Sequence, residues 1–429
     1  MQHLLYLTHR IPYPPNKGDK VRSYHLLEFL RTRYHVHLGT FVDAEEDWRH
    51  VDAVKKLCGE TYFARLNPTR AKLKSLAGLW RGEALTLAYY RDAGLQRWVN
   101  GLLARQQVKF ALVFSSSMAQ YVANANNLRR VADFVDVDSD KWAQYAGSKP
   151  WPLSVLYRRE AAQLLRQERA IARAFDATVL VTRAEAELFR KLAPESADKI
   201  SFAANGVDTD YFSPEANFDN PYPLDEQVLV FTGAMDYWPN IDAVEWFAKE
   251  VFPAVLVQHP AARFYIVGAH PAPAVMKLSS LAGVRVTGAV PDIRPYLAHA
   301  KLAVAPLRLA RGVQNKVLEA MAMGKPTVVS PHAAAGVEAT PGAELLVAAG
   351  PEEFANQIDA LLLGRHPGLG AAARQRVLTD YRWETNLSRI DRLLKGLHAA
   401  PSAEPAAAPG IAAAERWPAK PNHPDLTSL

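Results

Sequence analysis

The chain has 429 residues, 49% hydrophobic, with 50 Lys and Arg against 44 acids and a net charge of +6. That length exceeds one hydrophobic core and suits two domains, each large enough to stand alone. The small basic excess suits phosphate-bearing ligands or an anionic lipid surface and gives no argument for nucleic acid.

No run of 18 apolar residues is present, and the start MQHLLYLTHRIPYPP lacks the charged region and small-residue cleavage site of a signal peptide, so a cytoplasmic location is expected. The single Cys58 excludes an intramolecular disulfide and a sulfur-rich metal site, and is expected to be a buried bystander.

In chain order, a strand HLLYLT leads through the Pro-rich loop IPYPPNKGDK into an apolar-periodic helix, VRSYHLLEFLRTR. From Arg65 to Arg105 eight basic residues stand against Glu83 and Asp92. There PTRAKLKSLAGLW sets Leu73, Leu76, Leu79 and Trp80 near one helical face beside Lys72 and Lys74. This reads either as a segment resting on the inner membrane leaflet or as a surface helix packing its Leu face inward. Further strands read VHLGTFV, FALVFSS, VADFVDV, ATVLVT and ISFAAN, with a long helix over 153–175. Alternating β and α implies a parallel, doubly wound sheet for an N-terminal domain over 1–213.

The turn-rich stretch 214–226 reads as a linker, and a second βα series over 227–382 reads as a second Rossmann-like domain. Two such domains leave a cleft between the carboxyl ends of their sheets. A helix over 383–398 is expected to return to the first domain. The Ala/Pro-rich stretch 399–429 is expected to be a disordered tail.

The most informative segment is ARGVQNKVLEAMAMGKP, from Ala310 to Pro326. A turn opening a helix presents unpaired backbone N–H groups and the positive end of the helix dipole, which suits a diphosphate. Lys316 adds a full charge, and Glu319, three residues on, projects from the same face, where its carboxylate can accept hydrogen bonds from ribose hydroxyls. An amphipathic core helix with two solvated charges is the plainer alternative.

Six segments in order, Glu160 with RQERAIARAFDATVLVT, ISFAANGVDTDYFSP, VFTGAMDYWPNIDAVEWF, FYIVG, VTGAVPDIRPYLAHAKLAVAPLR and KVLEAMAMGKPTVVS, resemble the retaining glycosyltransferases of family 4 over roughly residues 1–398. The resemblance implies an α/β fold of the GT-B kind, two Rossmann-like domains facing across a cleft, acceptor on the first and nucleotide sugar on the second. THRIPYPPNKGDKVRSYH, DFVDVDSDKWAQYA and RGVQNKVLEAMAMGKP are most similar to the sugar transferases that accompany the exosortase (PEP-CTERM) system of exopolysaccharide-producing bacteria.

The family carries two glutamates eight positions apart. Here the second is Glu319, but Arg311 stands where the first belongs, and GAMDYWPN lacks the basic pair that many relatives place at the diphosphate. Arg311 and Lys316 are therefore expected to neutralise the diphosphate together; a structural ion pair at the cleft rim is the alternative for Arg311.

By the same resemblance Gly233 and Gly312 bring backbone to the donor, Gly18 does so from the opposite wall with Lys20 and Arg22 beside it, Asn205 and Asp208 belong to a cleft loop, and backbone around Val290 holds the base. Where relatives place a histidine near the sugar, this chain has Asp136, Asp138 and Asp140, whose spacing of two puts them on one side of an extended segment. Asp136 or Asp138 is a candidate to orient a hydroxyl; a solvated acidic turn and a divalent-cation loop are the alternatives. His9 and the other histidines lack ligand spacing and are taken as structural.

The expected activity is transfer of a hexose from a nucleotide-diphosphate sugar to a polyprenyl-linked saccharide, without metal or cofactor, by a protein peripheral on the inner membrane. A nucleotide-sugar 2-epimerase and a degenerate, non-catalytic docking module of the export assembly are the other readings.

Overall fold

The computed structural model describes residues 1–15, 18–148, 150–310 and 312–397. The chain divides into two compact units. The first comprises Met1–Ala203 together with the residues from Leu387 onward, and the second Ala204–Asn386. These divisions differ from the boundaries expected at 213 and 382. The stretch 399–429, read as a tail, lies outside the described residues.

In the first unit the strands are β1 (Gln2–Thr8), β2 (Tyr34–Val42), β3 (Thr61–Arg65), β4 (Val108–Phe114), β5 (Arg129–Val135), β6 (Ala177–Leu180) and β7 (Ile200–Phe202). They form a parallel seven-stranded sheet in the order β3-β2-β1-β4-β5-β6-β7. The strands are nearly continuous apolar runs because helices cover both faces; Leu4, Leu5, Tyr6 and Leu7 of β1 are wholly buried.

Helices that matter below are α1 (Gly18–Arg31), α2 (Pro68–Ser75), α3 (Ala77–Arg81), α4 (Leu85–Tyr89), α5 (Asp138–Ser148) and α6 (Leu153–Ala174). Asn67 caps α2 by accepting the Arg70 N–H at 3.0 Å.

In the second unit β8 (Gln227–Thr232), β9 (Ala262–Val267), β10 (Val284–Gly288), β11 (Leu302–Ala305), β12 (Thr327–Val329) and β13 (Leu346–Val347) form a parallel six-stranded sheet, ordered β10-β9-β8-β11-β12-β13. Its helices include α7 (Trp238–Trp246), α8 (Asn315–Ala322) and α9 (Leu369–Asp380). The last helix, α10 (Trp383–Leu394), begins in the second unit and ends in the first. There Tyr34 donates to Asp391 at 2.6 Å, Arg129 donates to the Leu393 carbonyl at 2.8 Å, and Leu387, Ile390 and Leu394 are buried.

In each sheet the strand order reverses at one place, between β1 and β4 and between β8 and β11. Crevices of doubly wound sheets open at the carboxyl ends of such strand pairs.

Candidate functional site

In the second unit, the chain leaves β8 through Gly233, and the carbonyl of Gly233 stands so near Gly268, at the end of β9, that a Cβ on Gly268 would lie 1.7 Å from it. A Cβ on Gly233 would lie 2.8 Å from Asn240 Nδ2 and 3.1 Å from Lys316 Nζ. Glycine at both positions lets two strand ends and a lysine converge.

Lys316 projects from the first turn of α8. Its ammonium donates to Asn240 Oδ1 and stands 4.4 Å from the centroid of the Phe231 ring. Asn240 in turn donates to the Ala234 carbonyl at 2.8 Å, which fixes the amide. The α8 N-terminus has no side-chain cap, so its first N–H groups stay available to a ligand.

Glu319 follows one turn along. Burial lowers Lys316 to about 7 against the pull of Glu319, and burial raises Glu319 to about 7 against the pull of Lys316. The pair therefore lacks solvation that a polyanion and its hydroxyls can replace. Arg374 of α9 closes the other end of α8, donating to the Ala322 carbonyl at 2.5 Å.

The structure brings Gly233, Lys316 and Glu319 together with Asn240 and Phe231, which sequence reasoning did not single out; Asn240 was legible only as the last residue of GAMDYWPN. Gly312 adopts φ +63 in the turn before α8. Val290 lies two residues beyond β10 and packs its side chain on the cluster of Val230, Tyr265 and Leu297. Asn205 precedes Gly206, whose missing Cβ would lie 2.5 Å from the Trp383 backbone nitrogen. Asp208 accepts the Tyr211 N–H at 2.9 Å in a local turn. Arg311 lies outside the described residues.

In the first unit several expectations change. Gly18 is not in a loop: it is the first residue of α1, with nothing within 4 Å of where a Cβ would be. Lys20 and Arg22 are each paired with a carboxylate of the same unit. They turn inward, Lys20 to Asp47 at 2.7 Å and Arg22 to Asp133 at 2.8 Å, with both lysine and arginine almost fully buried. Burial raises the Asp133 carboxyl while Arg22 opposes it.

The three aspartates do not share an extended segment. The strand ends at Val135, and Asp138 and Asp140 belong to the first turn of α5, about 200° apart around the helix. Only Asp136 lies between. The intervening residues are clamped: Val137 N–H donates to Glu185 at 2.8 Å, and Ser139 N–H to buried Glu168 at 3.1 Å. Burial, reinforced by Asp138, pushes Glu168 up to about 8. Val135 itself has φ +69, a strained conformation for a β-branched residue. Ser115, at the end of the neighbouring β4, has φ +81.

His9 stacks on Phe114 with ring centroids 5.7 Å apart and lies 3.5 Å from Asp19. Cys58 is half-buried, and burial raises its thiol to about 12.

His3, His35 and His37, expected to be structural, meet on β1 and β2 with ligand atoms all within 4.8 Å of one another. His37 Nδ1 accepts the Glu60 N–H at 3.0 Å, so its proton sits on Nε2, 2.8 Å from His3 Nδ1. That tautomer gives His37 no free lone pair for a metal.

Residues 226–363 match the model of the family described as Glycosyl transferases group 1. Among solved structures, sucrose-phosphate synthase from Thermosynechococcus elongatus is similar at TM-score 0.64 and 16% identity, covering 92% of this chain and 99% of that one. The Anabaena protein HepE in complex with UDP is similar at TM-score 0.63 and 16% identity, covering 92% and 100%. A glycosyltransferase from Rickettsia africae gives 0.62 and 12%, covering 92% and 98%. No curated protein matches the sequence. Two parallel Rossmann-like sheets and the family match over the second unit define a glycosyltransferase of the GT-B type.

Proposed function

We propose that the chain transfers a hexose from a nucleoside-diphosphate sugar to a lipid-linked saccharide, with retention of anomeric configuration, during exopolysaccharide assembly at the inner leaflet. The observation that carries the donor half is the Lys316–Glu319 pair on α8, set against the glycine turn after β8 in the unit that matches the glycosyl transferases. HepE has been solved with UDP and with UDP-glucose, which supports this class of donor.

In this reading Lys316, the α8 amides and Arg311 neutralise the diphosphate, while Glu319 accepts hydrogen bonds from the ribose. Gly18, Gly233 and Gly312 leave room for phosphate beside backbone, Asn205 contacts the donor, and backbone near Val290 holds the base. The bond from sugar C1 to the diphosphate oxygen breaks, and the acceptor oxygen bonds to C1 on the face the diphosphate leaves. The acceptor proton passes to the departing phosphate oxygen, with Asp136 or Asp138 orienting the hydroxyl. Electrostatic stabilisation of the leaving group is the main contribution, and no metal or cofactor takes part.

The test is thermal unfolding with UDP, GDP, TDP and their sugar conjugates. One nucleotide series should raise the midpoint, corresponding to about 2.7 kcal/mol at a hundredfold excess over Kd. Glu319→Ala should weaken that series about 10- to 100-fold, the worth of hydrogen bonds to a charged group. No response to any nucleotide by folded protein would overturn the reading in favour of a non-catalytic docking module.

A further inference from the structure

Between Asn67 and Gly82 the sequence carries Arg70, Lys72, Lys74 and Arg81 and no acid. In an ordinary amphipathic helix the large apolar residues face the core. Here the arrangement is inverted. The buried positions of α2 and α3 are Ala71, Ser75 and Gly78, spaced by four and three so that they form one inward face of small residues. The large apolar residues point outward: Leu73 is 72% exposed, Leu76 46%, Leu79 37% and Trp80 95%.

The outward pose is held from below. Arg159 of α6 donates to the Gly78 carbonyl at 3.0 Å and the Glu83 carbonyl at 3.2 Å. Buried Glu160, next to it, accepts the N–H groups of Leu85 and Thr86 at 2.8 and 2.9 Å, capping α4. Val155, one turn before Arg159 on the same face of α6, is exposed, as are Trp151 and Leu153. Large apolar residues are thus exposed both on α2–α3 and at the start of α6, and Arg70, Lys74, Arg81 and Arg158 are exposed as well. Exposed large apolar residues grouped in this way mark an interaction surface. Its charge selects an anionic partner, and a tryptophan beside leucines and basic residues is the composition that seats at the headgroup boundary of a bilayer. No described helix is long and apolar enough to cross a membrane.

We propose that the elbow of α2 and α3, extended by the start of α6, docks the protein on an anionic phospholipid bilayer, with Leu73, Leu76 and Trp80 in the headgroup–acyl boundary and Arg70, Lys74 and Arg81 on lipid phosphates. The proposal rests on the lipid-linked acceptor reading only for its purpose; binding is measured without turnover.

The experiment is co-sedimentation of the full-length protein with vesicles of phosphatidylcholine mixed with phosphatidylglycerol, and of phosphatidylcholine alone, alongside tryptophan emission. Binding to the mixed vesicles with a blue shift is expected, with little to the neutral ones. The double variant Leu73→Gln, Trp80→Ser should lose at least about tenfold in partitioning. Arg70→Ser, Lys74→Ser and Arg81→Ser should lose about fivefold for each charge removed. All the replaced residues are exposed, and an unchanged circular dichroism spectrum and melting midpoint establish that each variant is folded.

Absence of vesicle binding by the wild type would overturn the proposal, as would binding indifferent to both sets of substitutions. So would a wild-type dimer in light scattering that the Leu73→Gln, Trp80→Ser variant converts to monomer, which would assign the patch to a second copy of the chain. Vesicle binding that persists in a protein unresponsive to nucleotides would sink the transferase reading alone.

Discussion

Near neutral pH, Lys316 and Glu319 make the unliganded second unit less stable than it would be without them. The folded pKa of Lys316 is depressed to about 7, so as pH falls from about 10 to 7 the unfolded chain takes up a proton that the folded one does not, and stability falls. The folded pKa of Glu319 is raised to about 7, so as pH rises from about 4.5 to 7 the unfolded chain loses its proton first, and stability falls again. The two limbs meet in a minimum near pH 7. Lys316→Met should flatten the alkaline limb and raise the stability of the free protein by about 1–3 kcal/mol, while weakening nucleotide binding at least tenfold. On the proposed function, a diphosphate bound at Lys316 should also restore the lysine proton. Binding at pH 8 should then take up close to about one proton, which calorimetry in two buffers of different ionisation heat measures. No uptake, or an uptake retained in Lys316→Met, would contradict this account.

Among the elements, α9 holds the site helix from behind through a backbone contact that admits no side chain: a Cβ on Gly370 would lie 2.1 Å from the Gly324 carbonyl. Gly370→Val should therefore cost about 1–3 kcal/mol or more in urea unfolding and reduce the nucleotide-dependent shift by displacing Arg374 from the end of α8. Equal stability in the variant would show that the contact can relax.

The same helix illustrates what the sequence hides. Apolar runs separated by helical periodicity made twelve of the thirteen strands legible. Yet α9 buries Leu369, Gly370, Ala373 and Val377, too small and too few to read as an apolar face, and β3, a half-buried edge strand, was equally faint. Around the site, Lys316 and Glu319 were readable because their spacing is local. The inward turn of Lys20 and Arg22 was not, because their partners Asp47 and Asp133 are 27 and 111 residues distant. The alternate aspartates mimicked a strand beyond the point where Val135 breaks it.

At the scale of the whole molecule, α10 completes the first unit from the far end of the chain. Leu387, Ile390, Leu393 and Leu394 are buried, each contributing about 1.5–3 kcal/mol, so together they rival the 5–15 kcal/mol by which a domain is normally stable. A chain ending at Asn386 should therefore lose cooperative unfolding of the first unit while keeping that of the second. Two intact transitions in calorimetry would refute this.

The second unit, meanwhile, enters and leaves through adjacent strands of backbone, Val207 bridging to Arg382. That is the geometry of an inserted domain. On the ribosome the first unit emerges first but closes last. Residues 204–386, 183 in all, must be made in between, roughly 10–40 s at 5–20 residues per second. Throughout that interval the surface that α10 will cover stays bare, and a nascent-chain chaperone would have its longest engagement with the half of the enzyme that was made first.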